Sequence, residues 1–228
     1  MQFLLTNDDG IDSPGLQALF RAASALGDLA VVAPAGPQSG CSHQVTTHRP
    51  VRFELRQPNR FAVHGTPADC VRIGLDRLLP QTNWVLSGIN HGGNLGADVY
   101  YSGTVAAVRE AVLHGWPGIA LSHFRLRDRE YDWDRASRLA EEVLRELLSR
   151  TWEPGSFWNV NFPHLSPEQP DPEMLFCRVD PTPLPLSFRH EEDSFLYNGD
   201  YHARRREPGC DVEVCFGGNI AITQIRML

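Results

Sequence analysis

Two adjacent carboxylates, Asp8 and Asp9, follow directly on the apolar run Phe3-Leu4-Leu5 and precede Gly10. A short continuous apolar run is the pattern of a strand covered on both faces, and in open α/β sheets ligands bind beyond the carboxyl ends of such strands. Carboxylates placed side by side repel each other unless a cation or a proton neutralises them. A bound metal is one reading of Asn7-Asp8-Asp9-Gly10. A solvated turn leading into a helix cap is the other, since Asn, Asp and Gly are turn formers. On this stretch alone the two stand level.

Two further loops supply oxygen donors. Ser39 stands in the Gly, Pro and Ser-rich loop 34–42, after the buried strand pattern 29–33, and Asn90 ends Ser87-Gly88-Ile89-Asn90, after the strand pattern 84–86. All three loops leave the same sheet edge, so Asp8, Asp9, Ser39 and Asn90 are positioned to meet there, although Ser39 taken alone reads first as a turn hydroxyl. An oxygen-only set suits a hard cation that keeps some of its waters, Mg²⁺ or Mn²⁺ with Ca²⁺ able to occupy the site, rather than zinc or copper. The loop from Gly88 to Gly103 carries Gly92, Gly93 and Gly96 as well and enters a helix near Ser102 or Gly103. Free amides and a positive dipole at that end make an anion site. A flexible glycine connection is the plainer alternative. The loop is not a P-loop, which needs lysine, and its glycine spacing is not the dinucleotide fingerprint. A hard cation beside an anion site is the layout for phosphoryl transfer, and hydrolysis of a small phosphate ester is the leading reaction. His91 lies in the same loop; the other histidines show no metal-ligand spacing.

The elements that must position these loops are legible as alternating strands and helices. Ser13 and Pro14 open a helix expected to reach about Ala25, with Leu16, Leu19, Phe20 and Ala23 on its buried face and Gly27 closing it. Strand, helix and strand in succession form a right-handed parallel crossover. Short β segments are expected at 45–47, 51–55 and 61–64. Thr66-Pro67-Ala68-Asp69 opens a second helix whose buried face holds Val71, Leu75, Leu78 and Leu79. A strand at 119–122, a strongly periodic helix at 135–150 and a strand at 157–162 complete the compact α/β part. From Pro163 the composition changes, with seven prolines up to Pro185, which reads as an extended arm. Residues 211–216 alternate as a strand would, Gly217-Gly218-Asn219 reads as a turn, and a last strand spans 220–225. Arg204, Arg205 and Arg206 could meet phosphate or face water, and solvent is the favoured reading.

Composition excludes several chemistries. All 21 basic residues are arginine, against 28 acidic residues and a net charge of −7, so neither a Schiff-base lysine nor a lysine partner for an aspartyl phosphate exists, and polymeric nucleic acid is an unsuitable ligand. The five scattered cysteines, without a Cys-x-x-Cys pair, read as reduced thiols rather than a zinc site or a disulfide framework. Neither a signal peptide nor an apolar run of membrane-spanning length is apparent, and a cytoplasmic protein is expected.

Asn7-Asp8-Asp9-Gly10, Ala33-Pro34 with Gln38-Ser39-Gly40, Gly65 to Val71, Ser87 to Asn90 with Gly93 to Gly96, and Tyr101 to Ala107 resemble, in order and spacing, the motifs of the SurE survival-protein nucleotidases. The resemblance is dense to about residue 123 and looser in Asn159-Val160-Asn161-Phe162-Pro163. It implies a Rossmann-like three-layer α/β sandwich with a mostly parallel sheet, a catalytic core over 1–163, and an extended C-terminal β arm and hairpin over 164–228 within the same domain. The implied activity is metal-dependent hydrolysis of nucleoside 5′- and 3′-monophosphates, in some members also of polyphosphate, by a homodimer or homotetramer that exchanges the arm. The family's metal ligands fall on Asp8, Asp9, Ser39 and Asn90, with Asp8, Asp9 and Asn90 catalytic. Its phosphate-side positions fall on Asn94, Ser102, Gly103 and Thr104. Gly209-Cys210-Asp211 and Thr223-Gln224-Ile225 depart from the family pattern, which usually has Gly-Thr-Asp and Thr-Pro-Leu. Two rivals remain in view: a haloacid-dehalogenase-type phosphatase, which wants Asp-x-Asp and a lysine, and a non-catalytic metal- or nucleotide-binding regulator.

Overall fold

A computed structural model describes residues 1–126 and 129–227. The chain opens with β1 (Gln2–Thr6), α1 (Pro14–Ala23) and β2 (Asp28–Pro34), followed by β3 (Phe53–Gln57), β4 (Arg60–Val63) and α2 (Pro67–Ile73). Then come β5 (Trp84–His91), α3 (Gly103–Leu113), β6 (Gly118–His123), α4 (Trp133–Ser149) and β7 (Ser156–Phe162). The C-terminal segment holds β8 (Met174–Phe176), β9 (Phe188–Glu191), β10 (Ser194–Tyr197), α5 (Asp211–Phe216) and β11 (Ile220–Arg226).

One sheet runs in the order β3-β4-β2-β1-β5-β6-β7-β11-β8. Its centre, from β4 to β7, is parallel throughout, whereas β3 pairs with β4, and β11 with β7, in antiparallel fashion. After β1 the chain first adds β2 on one side and later β5 on the other. The crevice between the carboxyl ends of β1 and β5 is therefore the topological switch point, and those ends carry Asp8, Asp9 and Asn90.

Strand periodicity divides the core between the two sheet faces. Phe3 and Leu5 pack with Leu16, Leu19, Leu139, Val143 and Leu144 of α1 and α4, while Leu4 packs with Val71, Leu75 and Ala107 of the α2 and α3 side. The result is the three-layer α/β sandwich expected from the sequence. The caps read at Ser13 and Thr66 form, and Ser102 caps the helix expected to start near it. Ser13 Oγ accepts the Leu16 N–H (3.3 Å), Ser102 Oγ accepts the Val105 N–H (3.1 Å), and Thr66 with Asp69 makes a reciprocal capping box.

Several expectations are corrected. The helix α1 stops at Ala23 with Ser24 as its cap, so Gly27 does not close it, and Phe20 is exposed because α4 covers the adjacent stripe. Residues 45–47 form no strand; Thr46 instead donates through its N–H and its hydroxyl to Asp69 (both 2.8 Å), fixing that loop to the start of α2. After Ile73 the second helix loosens into a π-helical turn, Gly74–Leu78, with Leu78 only partly buried. Residues 211–216 are the helix α5, not a strand. The buried positions Asp211, Val212 and Cys215 share one helical face, and the Asp211 carboxylate accepts N–H groups from Gly96 (2.9 Å), Asp180 (2.8 Å) and Val212 (2.9 Å). Consequently Gly217-Gly218-Asn219 links a helix to β11 rather than two strands.

The C-terminal segment is divided in its packing. β11 lies inside the sheet between β7 and β8, whereas β9 and β10 form a separate two-stranded hairpin with Phe188, Phe195, Leu196 and Tyr197 exposed. Arg135 holds the proline-rich stretch by donating to the carbonyls of Ser166, Gln169 and Pro170 (3.1, 2.8 and 2.7 Å). No helix among the described residues is long and apolar enough to cross a membrane.

Gly15 ties the first helix to the switch point. A Cβ there would lie 1.9 Å from the Ile89 carbonyl oxygen, a backbone atom that cannot rotate aside. Gly15→Ala is expected to cost about 1–3 kcal/mol of stability in urea denaturation, the range for overpacked interiors, and to displace Asn90 next to Ile89.

Candidate active site

The turn after β1 is built around Asn7. Its side-chain amide donates to the Gly10 carbonyl (3.0 Å) and to Ser13 Oγ (2.7 Å), so the same residues that cap α1 also fix the chain reversal, which Gly10 makes at φ +99°. Asp8 is thereby buried and Asp9 half-buried. Burial pushes the Asp8 carboxyl up to about 6; Thr104 opposes this through a hydrogen bond, and the neighbouring Asp9 charge adds to it. Asp9 is also raised, by burial first, with His91 acting the other way. Among the described residues no salt bridge reaches either carboxylate.

The second loop approaches through its backbone. The Gln38 N–H donates to the Asp8 carbonyl (2.7 Å), and Ser39 follows, exposed. The third contributes Asn90, whose amide donates to the Gly92 carbonyl (2.8 Å), and His91, whose N–H donates to Asp9 Oδ2 (3.1 Å). The Gly88–Ile89 peptide is cis. The His91 ring leans on Trp133 (centroids 4.9 Å apart) and Tyr131 (5.6 Å). Its main chain, rather than its imidazole, meets the carboxylate.

The anion-site residues fall into two groups. Ser102 caps α3, Gly103 is its first residue, and Thr104 Oγ1 donates to Asp8 Oδ1 in a short hydrogen bond. A Cβ on Gly103 would sit 2.9 Å from Asp8 Cβ and 3.2 Å from Cys41 Sγ, so the helix end approaches the carboxylate as closely as glycine permits. Asn94 is held deeper. Its N–H donates to Asn161 Oδ1 (2.7 Å), its side-chain amide donates to Ser122 Oγ (2.7 Å), and its carbonyl accepts from Asn159 (2.9 Å) and Asn161 (3.1 Å).

Ser122, Asn159 and Asn161 hold Asn94, a role the sequence motifs did not assign, although Asn159 and Asn161 stand in the looser stretch of the resemblance. Their signal was present: two asparagines at i and i+2 put two amides on one face of an otherwise apolar, fully buried strand. Arg204 corrects another expectation. Rather than facing solvent, it is buried, donates to Asp98 Oδ2 (3.0 Å) and lies over the Tyr201 ring at 5.1 Å, while Arg205 and Arg206 keep charged groups accessible. The partly buried Asp98 accounts for the choice, because a hydrogen-bonded cation offsets part of the cost of taking its carboxylate out of water.

The Asp8 and Asp9 carboxyls, both with raised pKa values and without a salt-bridge partner among the described residues, and the buried Asn7 Oδ1, which has no hydrogen-bond partner, are oxygen donors of the kind a hard divalent cation takes. Among the described residues no three His, Cys, Asp or Glu side chains gather as a metal site.

The sequence profile of the family described as "Survival protein SurE" matches residues 3–181. The chain belongs to the SurE family. A relative in Nostoc sp. is 53% identical over 227 residues, spanning 100% of both chains. The 5′-nucleotidase SurE of Paramagnetospirillum magneticum is 37% identical over 232 residues, covering 99% of this chain and 89% of that protein. The crystal structure of the SurE protein from Aquifex aeolicus superposes with a TM-score of 0.88 at 30% identity, covering 99% of this chain and 93% of that one. A SurE chain with this site has a definite electrostatic liability when metal-free.

The Asp8 pKa sets that liability's sign. Its folded value, about 6, lies above the unfolded value of 3.8, so the favourable contribution of the neutral carboxyl is complete below about pH 4 and is lost as pH rises to about 6. Metal-free protein is expected to lose up to about 3 kcal/mol across that window from this group. Asp8→Asn should remove the effect and raise metal-free stability at pH 7, read from thermal melts in chelator at pH 4.5 and 7; an unchanged pH dependence would count against the assignment.

Proposed function

We propose that this SurE chain is a divalent-metal-dependent phosphomonoesterase that hydrolyses nucleoside 5′-monophosphates to nucleoside and phosphate, with Mg²⁺ or Mn²⁺ as the working cation. The observation that carries this reading is the Asp8–Thr104 hydrogen bond, which joins the carboxylate pair of β1 to the amide-rich start of α3. Relatives bearing the name 5′-nucleotidase SurE support the same reaction class.

Asp8, Asp9, Ser39 and Asn90 would hold the cation. When bound, it supplies Lewis acidity toward the phosphoryl oxygens and lowers the pKa of a coordinated water. The chain's own groups do the positioning. Backbone N–H groups at Gly103 and Thr104 point the positive end of α3 at the phosphate. Ser102 Oγ spends a lone pair on the Val105 N–H and keeps its own proton to donate. Thr104 has given its hydroxyl proton to Asp8, so it offers phosphate its amide. Asn94 retains one of two side-chain protons after binding Ser122. Without lysine, the negative charge of the reacting group rests on cation, amides and hydroxyls. The same absence, together with adjacent rather than alternating aspartates, disfavours an aspartyl-phosphate route.

The exposed apolar hairpin β9–β10 supports assembly into a homodimer or homotetramer by exchange of this arm. Phe195→Asp is expected to shift the protein to a smaller species in light scattering. A cytoplasmic location accords with the reduced cysteines.

Phosphate release from nucleoside 5′-monophosphates should be abolished by chelator and restored by Mn²⁺ or Mg²⁺. Asn90→Ala should lower turnover by about two orders of magnitude at limiting metal, because the stabilisation lost is worth several kcal/mol. Pure protein that leaves these nucleotides intact with either metal would overturn the reading.

A further inference from the structure

The stretch 35–52 between β2 and β3 carries Ser39 and contains neither helix nor strand. Connections of that length without regular structure are uncommon in compact folds and are usually functional. Ser39 is exposed, so its place depends on what holds its neighbours. On one side the Gln38 N–H donates to the Asp8 carbonyl (2.7 Å). On the other, the Ser42 hydroxyl donates to the Tyr100 carbonyl (3.2 Å), and His43 donates from Nε2 to Glu110 Oε2 (2.7 Å). Glu110 lies on α3 with its carboxylate buried, and its second oxygen, Oε1, meets His114 Nε2 (3.0 Å) and Arg72 Nε (3.6 Å). The His43 hydrogen bond is the main influence that holds the Glu110 carboxyl below the usual range, against the effect of its burial. The carboxylate therefore stays charged and available to the loop.

We propose that the His43–Glu110 pair is a strut that sets the Ser39 loop against the carboxylate pair, which makes both side chains positioning residues for the cation; the assignment rests on Asp8, Asp9, Ser39 and Asn90 being its ligands. The loop meets α3 at two heights. Cys41 packs at the start of the helix, where a Cβ on Gly103 would lie 3.2 Å from Cys41 Sγ and 2.9 Å from Asp8 Cβ. His43 reaches Glu110, about 10 Å further along the axis at the helical rise of about 1.5 Å per residue. Two attachments that far apart on one rigid helix fix the direction of the loop as well as its position. The helix is also the one whose first turn donates to Asp8, through Thr104. Further along the chain the Gln44 carbonyl accepts the Thr66 hydroxyl (2.6 Å), and Thr46 is held by Asp69. These ties keep the loop on α2 when His43 is removed, so a change at position 43 loosens Ser39 without unfolding the domain. His114 and Arg72 stay beside Glu110 in such a variant and continue to offset its charge.

The test uses the full chain with three substitutions. His43→Ala removes the strut, His43→Gln keeps an amide able to donate to Glu110, and His114→Leu strips the same carboxylate of a neighbour without touching the loop. Amide hydrogen exchange of residues 39–44 in chelator-treated protein should accelerate about tenfold in His43→Ala, the weight of one hydrogen bond to a charged group. Mn²⁺ affinity, read from the electron paramagnetic resonance signal of the free ion, should weaken by about the same factor. Both quantities should stay within about twofold of wild type in His43→Gln and His114→Leu, which keep the loop tied to α3. Loop exchange that is unchanged in His43→Ala overturns the strut, whatever the metal does. Faster exchange with unaltered Mn²⁺ affinity, or equal losses in His114→Leu, overturns the positioning role and leaves the cation site standing. Wild type that binds no Mn²⁺ overturns the cation reading and the positioning role with it.

Discussion

Two carboxylates on consecutive residues, one buried and one half-buried, and neither paired with a cationic side chain among the described residues, set the terms for the rest of this molecule. Burial alone would protonate or expel them. Three devices hold them instead. Asn7 clamps the turn from within, the Gln38 N–H fixes the Asp8 main chain from the second loop, and Thr104 donates from the start of α3. Each device comes from a different strand-to-loop junction, so the parallel order of β2, β1 and β5 is a requirement of the carboxylate pair as much as a consequence of the hydrophobic core.

Much of this was legible in the sequence because it is local. Ser13, Thr66 and Ser102 announce helix starts through side chains that act within three residues, and the helix at 135–150 repeats its apolar stripe often enough to be unmistakable. The convergence of Asp8, Asp9 and Asn90 followed from one topological rule about sheet edges. Contacts between distant residues left weaker traces. Nothing in Thr104 announces a partner 96 positions earlier. Arg204 looked like one member of a charged run, and only the burial of Asp98 separates it from Arg205 and Arg206. Residues 211–216 misled because a helix of six residues is too short to display a 3.6 period, while Val212, Val214 and Phe216 happen to alternate.

The same distinction governs the C-terminal segment. Asp211 and Arg204 both act on the stretch Leu95 to Asp98, one through the Gly96 N–H and the other through the Asp98 carboxylate. Gly96, at φ +55°, leaves space that a side chain would fill, since a Cβ there would come within 2.8 Å of the Arg204 guanidinium. The glycine-rich loop is therefore no loose connection. It is gripped from outside by residues more than a hundred positions later in the chain, and its glycines admit those residues as much as any ligand.

The position of β11 ties the site to sequence far outside its motifs. The last strand pairs with β7 on one side and β8 on the other, and Thr223 donates to the Asn159 carbonyl. The outer edge of β7 is therefore closed by a strand far downstream of it in the sequence. Yet β7 supplies Asn159 and Asn161, which hold Asn94. The loop facing the anion site is thus braced by a strand whose own outer edge is closed from 64 positions downstream, so its shape depends on sequence far outside the motifs that mark it.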